Sequence, residues 1–264
     1  MPIEKEFGKL SANQIRQLLQ WLPTLDSLRS ELRSSVQGRP DKFERMAPSG
    51  ITWANLYERK IEEHLAELVI AVGADQFVIE ASQADDPTQV LLDSINVDDD
   101  DDGLPDLSDD PLAMHRIFGL LYALLNSFEC LMVYGYYINE LVAMARNGGL
   151  EGDKALLNAV RIDPTVIAGP TGSVRLTRAV LFDDVEFLEG YCLAVQGKTG
   201  DQAAYLRKFR FVIQLLAESH VIDLPNKALI KLVIDVGAYA DTPGSEKNVS
   251  ELIRKAKKKY AISK

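Results

Sequence analysis

Two cysteines and three histidines in 264 residues leave little material for chemistry that depends on thiols or imidazoles. Cys130 and Cys192 lie in apolar contexts (Glu129-Cys130-Leu131-Met132-Val133 and Tyr191-Cys192-Leu193-Ala194-Val195), so buried thiols are expected and a disulfide framework is not. His64, His115 and His220 stand far apart, and none has a partner at a metal-ligand spacing such as His-Glu-x-x-His. His64 follows Glu62 and Glu63, a setting that raises proton affinity on an exposed helix face. No serine, histidine and aspartate can be nominated as a triad, because such groups converge in space and not along the chain. The first residues, Met1 to Phe7, lack a basic stretch followed by an apolar run, so no secretory signal is read and a cytoplasmic location is expected.

Positive charge is also missing from one region. No Lys or Arg occurs between Lys60 and Arg116, while Glu62, Glu63, Glu67, Asp75, Glu80, Asp85, Asp86, Asp93 and the aspartates from Asp98 to Asp110 all fall there. The net charge of -10 argues against non-specific nucleic-acid affinity. The far end reverses the sign in Arg254, Lys255, Lys257, Lys258 and Lys259. This asymmetry points to charge-guided recognition of a partner, or to attraction between the two ends within or between chains. The basic segment has only Tyr260 as an interleaved aromatic, so a solvated helix face is favoured over a phosphate-binding surface.

With 47% hydrophobic and 26% charged residues, the chain has the composition of a globular protein that buries its own core. Helical periodicity dominates. Ser11 and Gln14 form a capping-box pattern ahead of Ile15, Leu18, Leu19 and Leu22, and Pro23 is expected to end or kink that helix before Leu25, Leu28, Leu32 and Val36 resume the period. Thr52 is placed as the cap of one amphipathic helix through Trp53, Leu56, Tyr57, Ile61, Leu65, Leu68 and Val69. Phe77 to Ala81 is too short for its period to be read. Pro87 suits the first turn of a short helix reaching Ile95.

Asp110-Pro111 opens a predicted long helix to about Arg146, closed by Asn147-Gly148-Gly149. Within it, Ile117 to Ile138 carries Glu129 as its single charge and is long enough to cross a bilayer; a buried central helix is the preferred reading and no membrane contact is expected. A short helix is expected from Asp153 to Arg161. Residues 165–182, with Gly169-Pro170-Thr171-Gly172 at their centre, suit either a small β-hairpin or a turn between helices. Further helices are marked by Tyr205 to Leu216, by Leu229 to Val236 after Pro225, and by Val249 to Tyr260 after an Asn248 cap.

The fold class expected is therefore all-α, a bundle around a long apolar helix, with an N-terminal helical region (1–97), an acidic loop (98–110) and a C-terminal helical region (111–264) that can form one domain with the first. The acidic loop is the most specific pattern. Asp98, Asp100, Asp102, Asp106 and Asp109 supply carboxylates at loop positions one, three, five, nine and twelve with Gly103 at six, which resembles an EF-hand or thrombospondin-type calcium loop. That resemblance implies calcium or another divalent cation. Pro105 and Asp109 depart from the EF-hand pattern, and a solvated acidic linker is the favoured reading. Gly197-Lys198-Thr199 resembles the end of a phosphate-binding loop, but Cys192 stands where that loop needs glycine, so Thr199 or Asp201 is read as a helix cap.

The leading functional expectation is a non-catalytic interaction, regulatory or assembly subunit that binds another protein or self-associates through charged and amphipathic helix faces. Two alternatives stand beside it. One is a metal-dependent enzyme or metal-regulated protein using the acidic loop; the other is a nucleic-acid-associated protein docking through the C-terminal helix.

Overall fold

The computed structural model describes residues 10–38, 53–95, 111–197 and 201–262. They form helices joined by short turns, with no β-strand among the described residues. The α-helices are α1 (Ala12–Gly38), α2 (Trp53–Leu56), α3 (Ile61–Ala71), α4 (Asp75–Ser82), α5 (Pro87–Ile95), α6 (Pro111–Tyr134), α7 (Ile138–Arg146), α8 (Gly149–Ile162), α9 (Pro170–Leu181), α10 (Val185–Val195), α11 (Arg207–Glu218), α12 (Asn226–Asp235) and α13 (Ser245–Ile262). Two 3-10 segments, Pro164–Ala168 and Asp201–Leu206, complete them. The all-α expectation holds.

The chain divides into two compact units, each drawn from separated segments: Met1–Pro23, Gln76–Asp102 and Ala203–Lys264 in one, Thr24–Asp75 and Gly103–Gln202 in the other. In the first unit, Ile15, Leu216, Leu229, Val233, Val249 and Ile253 are completely buried. Its entry helix begins as the sequence requires: the Ser11 amide donates to Gln14 Oε1 at 2.7 Å and the Gln14 amide to Ser11 Oγ at 3.3 Å, a closed capping box. Buried Gln14 then spends its amide nitrogen on Asp86, 2.9 and 3.0 Å away. Pro23 lies inside α1 and does not end it.

The second unit is built on α6. By length and composition Arg116–Tyr134 could cross a membrane, but 67% of that stretch is buried within the fold, where Leu120, Ala123, Cys130 and Leu131 sit in apolar packing. The expected unbroken helix from Pro111 to Arg146 is corrected here. Gly135 takes φ 78°, a left-handed conformation that costs glycine little, and its amide closes on the Leu131 carbonyl at 2.8 Å. The Tyr137 amide then donates to Glu140 Oε2 at 2.7 Å, starting α7 as a separate helix.

Three other expectations change. The helix predicted from Trp53 to Val69 is interrupted: α2 ends at Leu56, and α3 restarts after an extended Lys60 (ψ 149°), so that Tyr57 turns into the core. The hairpin alternative at 165–182 gives way to a 3-10 turn and α9, because Gly169 and Pro170 act as a helix start. A Cβ on Gly172 would lie 2.7 Å from the Val166 carbonyl oxygen and Ile167 Cα, so the turn and the helix approach too closely for any other residue. The last helix starts at Ser245, ahead of Asn248, with Ser245 Oγ accepting from the Thr242 amide at 3.0 Å.

Candidate functional site

Two polar constellations in the second unit could carry chemistry, and their geometry separates them. The first is buried. Asp163, 1% exposed, follows α8 and accepts four hydrogen bonds: from Tyr57 Oη at 2.5 Å, Asn126 Nδ2 at 3.1 Å, the Thr165 amide at 2.9 Å and Thr165 Oγ1 at 2.8 Å. Arg29 on α1 completes the set, donating through Nε to Asn126 Oδ1 at 2.8 Å. Burial, and then the Asp163 charge beside it, hold the Tyr57 phenol well above its usual range. Every Asp163 lone pair in reach has a donor, so the group ties four segments together and leaves no acceptor for a substrate.

The second constellation is at the surface, where α9 meets α10. Its base is fixed at both ends. Glu58 accepts from the Thr171 amide at 2.9 Å and Thr171 Oγ1 at 3.1 Å, and it pairs with Arg146, anchoring the first turn of α9. Burial pushes the Glu58 carboxyl up, but the hydrogen bonds from Arg146 and Thr171 prevail and hold it below the ordinary range. Further along α9, Arg175 reaches Asp153 of α8 through both Nε (2.6 Å) and Nη2 (2.8 Å), and the same Nη2 meets Asp184 at 2.6 Å. Its guanidinium lies 3.9 Å over the Phe187 ring of α10. The hydrogen bond to Asp153 raises the Arg175 pKa, and the Arg175 hydrogen bond lowers that of Asp184.

The connection is short and ordered. Asp183 adopts φ 54°, a conformation that aspartate tolerates better than most residues, and Asp184 caps α10 by accepting from the Phe187 amide at 3.2 Å. Over this rigid base the tip is apolar and open. Val180, Leu181, Phe182 and Val185 are 63%, 72%, 76% and 53% exposed. Of the 15 large apolar side chains exposed among the described residues, these four fall within six consecutive positions at the corner. Two grooves flank it. One of about 380 Å³ is lined by Phe182, Arg178, Gly148 and Gly149; the other, of about 440 Å³, runs between α8 and α10 past Leu150, Leu157 and Gly190. Asp153 and Asp184 border both.

The sites expected from the sequence are distributed differently. Asp98, Asp100, Asp102, Asp106 and Asp109 lie outside the described residues, and no group able to hold a metal ion occurs among the described ones. The five basic residues of α13 stand in different settings. Lys257 Nζ turns inward to the Leu224 carbonyl at 2.5 Å, Lys255 pairs with Glu251 at 2.9 Å, and Lys259 Nζ lies 4.7 Å from the centre of the Tyr260 ring, while Arg254 and Lys258 remain exposed. His64 is 2% exposed and not on a solvated face. Burial, and next the nearby Arg59 charge, lower its pKa, the opposite of the expected direction, against the opposing pull of Glu67, Glu63 and the Leu56 backbone. The side chain of His115 is outside the described set, and His220 is exposed at the end of α11. Cys130 is buried as expected, whereas Cys192 is exposed on α10.

The α9–α10 corner was not singled out by sequence reasoning, since apolar residues on an outward helix face have the same periodicity as those facing inward. Asp184, followed by Glu186 in the first helical turn, was the available signal for α10. Compared with protein-family models, curated proteins and solved structures, the chain matches none.

Proposed function

We propose that this protein is a non-catalytic interaction subunit and that the α9–α10 corner is its docking face. The observation that carries this reading is the concentration of exposed Val180, Leu181, Phe182 and Val185 on a base held by Glu58 and Arg175. Burying a large apolar side chain stabilises by about 1.5–3 kcal/mol, so a fold gains nothing by leaving four such residues open in one corner unless something else covers them. Rigid presentation lowers the ordering cost of association, because neither the loop nor the helices must be fixed on contact.

Replacing Leu181 and Phe182 together by Asp tests the proposal. Both side chains are more than 70% exposed, so the variant should keep the circular dichroism spectrum and melting temperature of the wild type. Tagged wild type purified from native cells should carry proteins that the variant loses. Retention of the same proteins at the same yield by both would refute the docking assignment.

A further inference from the structure

Resting on the docking reading, we propose that the occupant of the α9–α10 corner is a second copy of this chain, paired through the same face about a two-fold axis.

Area supports a partner of this size. Leu150, Val174, Val180, Leu181, Phe182 and Val185 each leave between 53% and 78% of their surface uncovered. If all of this surface were covered it would supply at most on the order of 600–700 Å² per copy, approaching the ~800 Å² per partner of a standard stable interface. The patch also meets the requirement of an isologous contact, in which one surface must complement itself. It carries both signs of charge. Arg178 has no carboxylate partner, and Asp183, Glu186 and Glu189 have no cationic partner, among the described residues. Two-fold pairing would let the Arg178 of each copy face acids of the other. The overall charge of -10 does not forbid this, because screening at physiological ionic strength acts over about 8 Å and leaves the charges at the contact to decide.

The groove beside Phe182 gives the pairing a shape. Gly148 and Gly149 form part of its wall, and a Cβ built on either would meet nothing within 4 Å, so the space there is open. An incoming Phe182 seated in that groove would lie against Arg178, repeating between copies the arrangement that Arg175 makes over Phe187 at 3.9 Å within one. The basic helix α13 is a poorer occupant. Its apolar residues Val249 and Ile253 are fully buried in its own unit, leaving a polar outer face with nothing to cover Leu181 and Phe182.

Sedimentation equilibrium of the full chain over about 1–100 µM, a range that brackets weak interfaces of this area, tests the inference. Wild type should approach twice the 29.3 kDa of one chain. Phe182→Asp should sediment as a monomer with an unchanged circular dichroism spectrum. Arg178→Glu alone should weaken the dimer about tenfold, and Arg178→Glu combined with Glu186→Lys and Glu189→Lys should recover most of it, since exchanging the exposed signs on both copies restores their attraction, while Asp183 keeps the residue its φ of 54° favours. A wild type monomeric at about 100 µM, a dimer indifferent to Phe182→Asp, or a charge-exchanged variant no stronger than Arg178→Glu would each overturn the proposal. A monomeric wild type whose Leu181→Asp, Phe182→Asp form still loses its co-purifying proteins would overturn the second copy alone and leave the docking face standing.

Discussion

Substituting Asp163 by Asn should cost far more than the loss of one charge suggests, because Asn126 beside it cannot turn to adapt. The new side chain keeps an oxygen for the Thr165 amide and hydroxyl, which now hold Oδ1 at 2.9 and 2.8 Å. Its amide nitrogen then replaces Oδ2, facing Tyr57 Oη and Asn126 Nδ2. The phenol can turn to accept. Asn126 cannot, since Arg29 Nε donates to its Oδ1 at 2.8 Å, and reversing the amide would set two donors against each other there. One buried donor pair is left opposed and one charge-assisted bond is lost, about 2–4 kcal/mol in total at roughly 1–2 kcal/mol for each. At about 2–4 °C per kcal/mol for a domain of this size, the melting temperature should fall by roughly 5–15 °C. Thermal unfolding followed by far-ultraviolet circular dichroism measures it. Arg29→Ala supplies the decisive comparison: it releases Asn126 to flip, so the double variant should be more stable than the sum of the single losses by about 1 kcal/mol or more. An Asp163→Asn protein within about 0.5 kcal/mol of wild type, or strict additivity with Arg29→Ala, would refute this account of the cluster.

His64 gives a pH dependence of known sign. Its folded pKa lies below the ordinary imidazole value, so the unfolded chain binds the proton more readily, and the stability present above about pH 6.5 should fall as pH drops towards the folded value. His64→Leu should flatten that acid limb in urea titrations run at several pH values, and an unchanged slope would count against burial as its cause. For α13, Lys257→Gln should destabilise by about 1 kcal/mol through loss of its bond to the Leu224 carbonyl, whereas Arg254→Gln with Lys258→Gln should leave the chemical-denaturation midpoint unchanged. Equal effects from both changes would contradict the inward role of Lys257.

Several local signals in the sequence, with donor and acceptor a few residues apart, carried through to the structure, though the Asn248 cap did not. Ser11 and Gln14 close on each other as their spacing requires, and Pro87, Pro111 and Pro170 all stand at helix starts. Interruptions were harder to read. Gly135 breaks the apolar run between α6 and α7 although isolated glycines occur inside helices, and only its positive φ distinguishes it. The buried cluster was invisible for a different reason. Asp163 follows the helix expected to Arg161, but Tyr57 is 106 residues away and Asn126 is 37, separations over which no pattern in one sequence reports contact. The exposed α9–α10 corner failed in the opposite way, since Val174, Leu181 and Val185 look like core residues, and only the packing of α8 shows which side of α9 and α10 is inward.

The unequal burial of the two thiols makes the chain its own reporter. Cys130 is 0% exposed beneath the helices that cover α6, while Cys192 is open on α10. A thiol reagent should therefore count one site per native molecule and two per unfolded one, so the slower-reacting sulfur times the opening of the α6 core. A fluorophore placed on Cys192 would sit on α10, beside the exposed α9–α10 corner, without any substitution in the sequence.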